Sequence, residues 1–283
     1  MIAILGGLGA AVAFAVSTVC SSRSSRLIEP PLVVAWVMAV GLVISGPLAL
    51  LQGVPAALGH EPGLWLFIAG ACNVAGLLIV YAALRVGQVA LIAPLVATEG
   101  AIAALIAIAA GETVAPGVGV TLAVIAAGIC LASLPPEDRS DEVHANHTRT
   151  ALLALVSACM FGVTLYASGR AGASLPAAWV ALSARVVGTI AIALPLALAG
   201  RLRLTRPAAP LVVTSGVCEV VGFYSYIAGA RHGIAIAAVL ASQFGALASV
   251  AGYYLFGERL TRIQVAGIAT VLGGVAVLSA LQA

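Results

Sequence analysis

Three ionisable side chains lie deep inside long apolar stretches of this sequence: Glu99, Arg185 and Glu219. A charge at the middle of a lipid bilayer costs about 2.5–3.5 kcal/mol on insertion scales, so such side chains usually face a cavity or a partner. Arg185 could pair with one carboxylate, and a carboxylate left without a partner could take up a proton. The structural alternative is an ion pair that only holds the two halves of the chain together.

Polar and aromatic side chains in the same apolar stretches extend this candidate site for a substrate or a proton. Each of them alone is more typical of an interhelical hydrogen bond or of an aromatic residue at the membrane surface. Together they predict a mixed apolar and polar cavity that suits a small amphipathic solute. The set is Asn73, Tyr81, Tyr166, Tyr226 and Gln243, with Ser17, Thr18, Thr164 and Tyr224 beside them.

The composition requires that these residues be positioned inside a membrane. Of the 283 residues, 62% are hydrophobic and 8% are charged, and the mean hydropathy is +1.16. Soluble domains contain about 25% charged residues, so this chain could not cover itself with a surface compatible with water. The net charge is only +3, and the few basic residues lie mostly in short connectors, which argues against a nucleic acid as partner.

Breaks at glycine, proline and charged residues divide the chain into ten apolar windows. A helix needs about 20 apolar residues to cross a bilayer, and each window comes close to that length. The sequence therefore predicts an all-α membrane protein with ten transmembrane helices. The windows are 2–20, 32–52, 64–83, 89–110, 116–133, 150–168, 177–199, 208–229, 234–256 and 263–281.

Matched residues at one constant offset indicate an internal duplication. Gly111-Glu112 follows one apolar window and Gly257-Glu258 follows another, at an offset of 146 residues. At the same offset Asn73 corresponds to Glu219. Six further residues, Gly70, Cys72, Gly76, Arg85, Gly87 and Gly128, fall on identical residues: Gly216, Cys218, Gly222, Arg231, Gly233 and Gly274.

A repeat of five helices has a geometric consequence. Because five is odd, the two copies cross the membrane in opposite directions and are related by a pseudo-two-fold axis in the membrane plane. We expect the copies at 1–134 and 150–283, joined by a polar linker at 135–149. His144 and His147 in this linker could bind a metal ion, but a solvated linker explains them better. No metal ion or other cofactor is expected.

The residues around the second Gly-Glu pair carry a family resemblance. Gly257-Glu258-Arg259-Leu260-Thr261, Gln264, Gly267 and Gly274 resemble the end of each half of the EamA-type transporters of the drug/metabolite transporter superfamily. In the first half Gly111-Glu112 and Gly128 match, and Thr113-Val114-Ala115-Pro116 replaces the rest. The family commonly has a proline thirteen residues before each glutamate, where this chain has Glu99 and Gly245.

Two arguments about orientation disagree. Ten arginines fall in odd-numbered connectors and only Arg170 and Arg231 in even-numbered ones, which predicts cytoplasmic odd connectors and both termini outside. The resemblance instead implies that both termini are cytoplasmic.

The resemblance implies a secondary transporter of the cell (inner) membrane that works by alternating access. We expect it to export a small metabolite, an amino acid or an amphipathic compound, coupled to an ion or to exchange. Its partners would be this solute and the bilayer, and also protons if a carboxylate takes them up. The protein would be a monomer or a homodimer.

The sequence favours a protein that is not an enzyme. It contains no Walker A motif, no Gly-x-Ser-x-Gly and no His-Glu-x-x-His. The alternative is an integral-membrane lipid-modifying enzyme, which would need carboxylates or histidines clustered at one membrane face. The linker holds the only such cluster, so deletion of 137–147 would separate the two functions.

Overall fold

The computed structural model describes residues 1–113, 115–132, 141–256 and 261–281. Over these residues the secondary structure is helical, and the described part of the chain contains no strand. The helices of the first half are α1 (Ile2–Leu27), α2 (Pro30–Gln52), α3 (His60–Val86), α4 (Val89–Val96), α5 (Glu99–Ala109) and α6 (Pro116–Ala132). Those of the second half are α7 (Asp141–Gly172), α8 (Ala177–Gly188), α9 (Leu194–Leu198), α10 (Ala209–Ala230), α11 (Ile234–Ala241), α12 (Phe244–Phe256) and α13 (Arg262–Leu281).

Eight helical stretches are long and apolar enough to cross a membrane, with mean hydropathies from 1.5 to 2.2. They are Ile2–Leu27, Pro30–Gln52, His60–Val86, Ile92–Ala109, Arg149–Gly172, Ala177–Leu198, Ala209–Ala230 and Ile234–Leu255. An all-α, multi-pass membrane protein is thereby confirmed. The apolar stretch in α6 is shorter, over Pro116–Gly128, and α13 is not among the eight, so the number ten stays a prediction.

Proline and glycine mark several helix boundaries. Pro30 starts α2 and Pro210 lies in the first turn of α10, where a residue without an N–H loses no intrahelical hydrogen bond. Gly53 and Gly200 follow α2 and α9 with φ of 69° and 65°, the left-handed conformation that glycine adopts without a steric penalty. These residues therefore fix where the helices begin and end.

Packing between the two halves is reciprocal. Helix α1 packs against α10, and α7, its equivalent in the second half, packs against α3, the equivalent of α10. Helix α2 packs against α8, and α6 packs against α13. The pairs α4 with α12 and α5 with α11 complete the set. Exchanging the halves reproduces the same contacts, as a pseudo-two-fold arrangement requires.

The fourth and ninth apolar windows each fold as two half-helices. The breaks lie at Ala97-Thr98, between α4 and α5, and at Ser242-Gln243, between α11 and α12. Neither break contains a proline. At the first break the Thr98 hydroxyl donates a hydrogen bond to the carbonyl of Leu95 at 2.8 Å. At the second break Ser242 Oγ and Gln243 Nε2 both donate to the carbonyl of Val239, at 2.7 Å and 2.8 Å. These side chains satisfy carbonyl groups near the end of the half-helix.

Two glycines let the broken helices cross in close contact. A β-carbon at Gly100 would lie 2.6 Å from the carbonyl oxygen of Ala238, and one at Gly245 would lie 2.7 Å from that of Ala93. Small residues at such crossings allow backbones to approach each other in a membrane. Each half therefore places its break against the broken helix of the other half, near the centre of the molecule.

Candidate functional site

An internal cavity lies between the halves, beside the two breaks. Residues of α1, α3, α4, α5, α7, α10 and α12 line it, and its volume is about 60 Å³. Side chains of both halves contribute. The polar lining consists of Ser17, Thr18, Asn73, Tyr81, Glu99, Thr164 and Glu219, and the aromatic lining also includes Phe14, Phe161, Phe223 and Phe244.

The structure brings together half of the residues that the sequence analysis proposed for the site. Glu99, Glu219, Asn73 and Tyr81 line the cavity. Arg185, Gln243, Tyr226 and Tyr166 are not part of the lining. Thr18 and Thr164, which share one position of the repeat, also line it.

Arg185 and Glu219 form a buried ion pair next to the cavity. Arg185 Nη2 lies 3.7 Å from Glu219 Oε2, and the arginine side chain is 0% exposed. Its Nη1 donates to Met38 Sδ at 3.6 Å, and its guanidinium lies over the Phe223 ring, 5.4 Å from the centroid. Gly41 provides the space, since a β-carbon there would lie 2.6 Å from Arg185 Cδ.

This pair differs from the structural alternative considered for the sequence. Both charges belong to the second half, on α8 and α10, so the pair itself does not bridge the halves. Each charge also contacts the first half, Arg185 through Met38 on α2 and Glu219 through Ser17 on α1. The 3.7 Å between Arg185 Nη2 and Glu219 Oε2 is long for a hydrogen bond. Neither Arg185 Nη2 nor Nε has a hydrogen-bond partner in the described part of the chain. Arg185 is therefore held chiefly by charge and packing.

A group of buried serines stabilises Glu219, and of these the sequence analysis named only Ser17. Ser17 Oγ donates to Glu219 Oε1 at 3.2 Å and lies 2.9 Å from Ser215 Oγ, which is 2.7 Å from Ser21 Oγ. The signal that could have revealed it is the run of serines at the end of the otherwise apolar α1. Five of them are buried: Ser17, Ser21, Ser22, Ser24 and Ser25.

Glu99 has very different surroundings. It is the first residue of α5 and is 5% exposed. Within the described residues its carboxylate forms no hydrogen bond and no ion pair. The N-terminal end of a helix favours a negative charge through the aligned peptide dipoles. Glu99 is thus an acidic group that lines the cavity without a partner from the described protein.

Two more polar groups of the lining lack partners. In the described part of the chain Asn73 Oδ1 and the Tyr81 hydroxyl are buried and make no hydrogen bond. A buried polar group without a partner costs about 1–3 kcal/mol. Groups of this kind in a cavity wall are available to water or to a solute.

The remaining proposed residues have structural contacts. The Tyr226 hydroxyl donates to the carbonyl of Leu165 at 2.7 Å and ties α10 to α7. Tyr166 packs edge-on against Trp65, with 5.6 Å between centroids. Gln243 donates to the carbonyl of Val239 at the helix break. These contacts position the helices around the cavity.

Glu112 of the first Gly-Glu pair caps a helix of the other half. Its Oε1 accepts a hydrogen bond from the backbone N–H of Ala235, in the first turn of α11, at 3.2 Å. The loop after α5 thus lies beside the start of α11. Gly257 and Glu258 lie outside the described residues.

Comparisons with known proteins support a transporter fold. No protein of curated function matches the sequence. A solved crystal structure of a protein has a TM-score of 0.74 at 18% identity, over 99% of this chain and 96% of that chain, which shows a shared fold. The model of the EamA-like transporter family matches residues 1–134 and 148–280. The protein therefore belongs to the EamA-like family of membrane transporters, in the drug/metabolite transporter superfamily.

Proposed function

We propose that this protein is a secondary transporter that exports a small metabolite, an amino acid or an amphipathic compound by alternating access. The observation that supports this most strongly is the cavity between the halves, where two broken helices cross and where acidic, amide, hydroxyl and aromatic groups converge. Broken helices at the interface of repeats are a common way to build a solute site at the middle of a membrane.

The proposed architecture has ten transmembrane helices in two inverted repeats, at 1–134 and 150–283, with a linker at 135–149. The reciprocal helix packing supports it, and so does the match of the family model to the chain in two halves. Inverted halves can exchange conformations, and the cavity would then open first to one side of the membrane and then to the other. We place the protein in the cell (inner) membrane, as a monomer or homodimer.

The size of the cavity indicates what transport would require. A cavity of about 60 Å³ holds only a few water molecules. A metabolite therefore needs the helices to separate, and the crossing at Gly100 and Gly245 is where such a movement would act. Coupling to an ion or to exchange is proposed because the chain contains no nucleotide-binding motif.

Purified protein in liposomes tests the proposal. Vesicles loaded with labelled amino acids, amines or nucleosides should release at least one of them faster than protein-free vesicles, with a dependence on ΔpH or on the same solute outside. The variant with Glu99→Gln, Arg185→Gln and Glu219→Gln should lose this release. Unchanged transport by that variant would reject the site, and no transport of any solute would reject the function.

A further inference from the structure

The ionisable side chains of the cavity wall are acidic. Glu99 and Glu219 contribute the ionisable carboxyl groups of the lining, and among the described residues no arginine, histidine or amino group lines it. Arg185 compensates Glu219 at 3.7 Å, and Ser17 donates to the same carboxylate. Glu99 has neither kind of partner in the described chain. One carboxylate therefore stays uncompensated in a place where an unpaired charge is costly.

The aromatic part of the wall is suited to a positive charge. Phe14 lies edge-on to Phe223, with centroids 5.6 Å apart, and to Phe244, with centroids 6.4 Å apart. Aromatic faces carry a negative potential that attracts organic cations. The cluster already shows this property, since the Arg185 guanidinium lies 5.4 Å from the Phe223 centroid. Phe161 adds a further ring to the lining.

Of the two unpartnered neutral groups on the wall, the Asn73 amide oxygen fits the same charge. Asn73 Oδ1 is buried and accepts no hydrogen bond from the described residues. A carbonyl oxygen only accepts, so it requires an N–H or O–H donor. An anion would meet Glu99 without relief, and among the described residues no three His, Cys, Asp or Glu side chains come together as ligands for a metal ion.

From these observations we propose that the cavity binds a small organic cation, an amine or a quaternary ammonium. Its charge lies at the carboxylate of Glu99, and its carbon atoms contact the phenylalanines of the wall. The inference rests on the proposed function, in which this cavity holds the solute, and adds the chemical class of that solute.

A matched pair of probes tests the role of the charge. Choline and 3,3-dimethylbutan-1-ol have the same shape, but the second has carbon in place of the charged nitrogen. We expect choline to raise the melting temperature of the full-length protein in detergent by about 3 °C at roughly ten times its Kd. The neutral compound should leave it unchanged. Ethanolamine, a primary amine, should act as choline does.

Variants assign the effect to Glu99. Glu99→Gln should weaken choline binding at least about tenfold, since it removes a charge-assisted contact, whereas Glu99→Asp should keep the preference for the cation. The control is Glu29→Gln, because Glu29 is exposed and caps no helix through its side chain. It should bind choline as the unmodified protein does.

Three results would overturn the inference: equal shifts with choline and the alcohol, no shift with choline or ethanolamine, or choline binding retained in Glu99→Gln. The liposome experiment separates this failure from failure of the proposed function. Transport of a neutral or anionic solute without any cation binding would reject the cation class alone. Cation binding without transport of any solute would reject the transporter.

Discussion

Glu99 and Glu219 carry the same functional group into the same cavity, but the protein treats them differently. Glu219 has Arg185 at 3.7 Å and Ser17 at 3.2 Å. Glu99 has no side-chain partner among the described residues, and only the dipole of α5 favours its charge. We therefore expect the two carboxylates to differ when each is substituted, Glu219 in stability and Glu99 in solute binding.

Removing the arginine should destabilise the protein. Arg185→Met leaves Glu219 as a buried charge without its counter-ion, a change that costs about 3–5 kcal/mol in comparable cases. The double variant Arg185→Met with Glu219→Gln should recover most of that loss, because it removes both charges. Thermal unfolding in detergent measures the effect. A double variant as unstable as the single one would show that the two charges are not coupled.

Neutralising Glu99 should lower transport without lowering the stability of the protein. Glu99→Gln breaks no hydrogen bond and no ion pair of the described structure, so the melting temperature should stay the same or rise. Transport in liposomes should fall at least about tenfold, because the variant removes a charge from the cavity wall. A loss of stability comparable to that of Arg185→Met would contradict the absence of a structural partner.

At the scale of elements, the two broken helices decide where the cavity forms. Thr98, Ser242 and Gln243 bond to carbonyl groups at the breaks, and Gly100 and Gly245 permit the crossing. The proline that the family places in these helices is replaced by Glu99 and Gly245, yet each helix breaks next to that position. Polar side chains at the ends of the half-helices thus take over part of the role expected of proline.

A matched pair of glycine substitutions tests the crossing. Gly245→Ala should lower stability by about 1–3 kcal/mol, because its β-carbon would lie 2.7 Å from the carbonyl oxygen of Ala93. Gly119→Ala in α6 meets nothing within 4 Å and should be neutral or stabilising by up to about 1 kcal/mol, the gain in helix propensity. Thermal unfolding compares them. Equal effects would mean that the helices do not approach so closely at Gly245.

At the scale of the whole molecule, contacts between the halves surround the cavity. The packing pairs are reciprocal, and Glu112 of the first half caps α11 of the second. The proposed linker, 135–149, joins the halves in sequence, and its residues from Asp141 onward belong to α7. If the protein is a transporter, the chemistry of the linker should not matter.

Replacing the charged residues and the histidines between 137 and 147 by alanine tests this. Because α7 begins at Asp141, a deletion would shorten that helix and glycine would weaken it, whereas alanine keeps the helix propensity. We expect transport within about twofold of the unmodified protein, because the proposed transport uses no side chain of the linker. Loss of activity with an unchanged melting temperature would instead favour the lipid-modifying enzyme, which needs the linker carboxylates and histidines.

The sequence alone determined the class of protein and the register of its halves. Composition required a membrane, the breaks at glycine and proline located the helices, and one offset paired the residues of the two halves. The cost of a buried charge predicted Glu99, Arg185 and Glu219 as central residues. All three are buried, and both carboxylates line the cavity.

Only the tertiary structure decided which of these charges are partners. In a membrane helix the face toward lipid and the face toward protein are both apolar, so the hydrophobic pattern does not reveal the direction of a side chain. The pairing of Arg185 with Glu219, the support from Ser215 and the isolation of Glu99 depend on how helices distant in sequence are rotated against each other. Those rotations follow from packing of the whole bundle, at contacts such as Gly41 against Arg185.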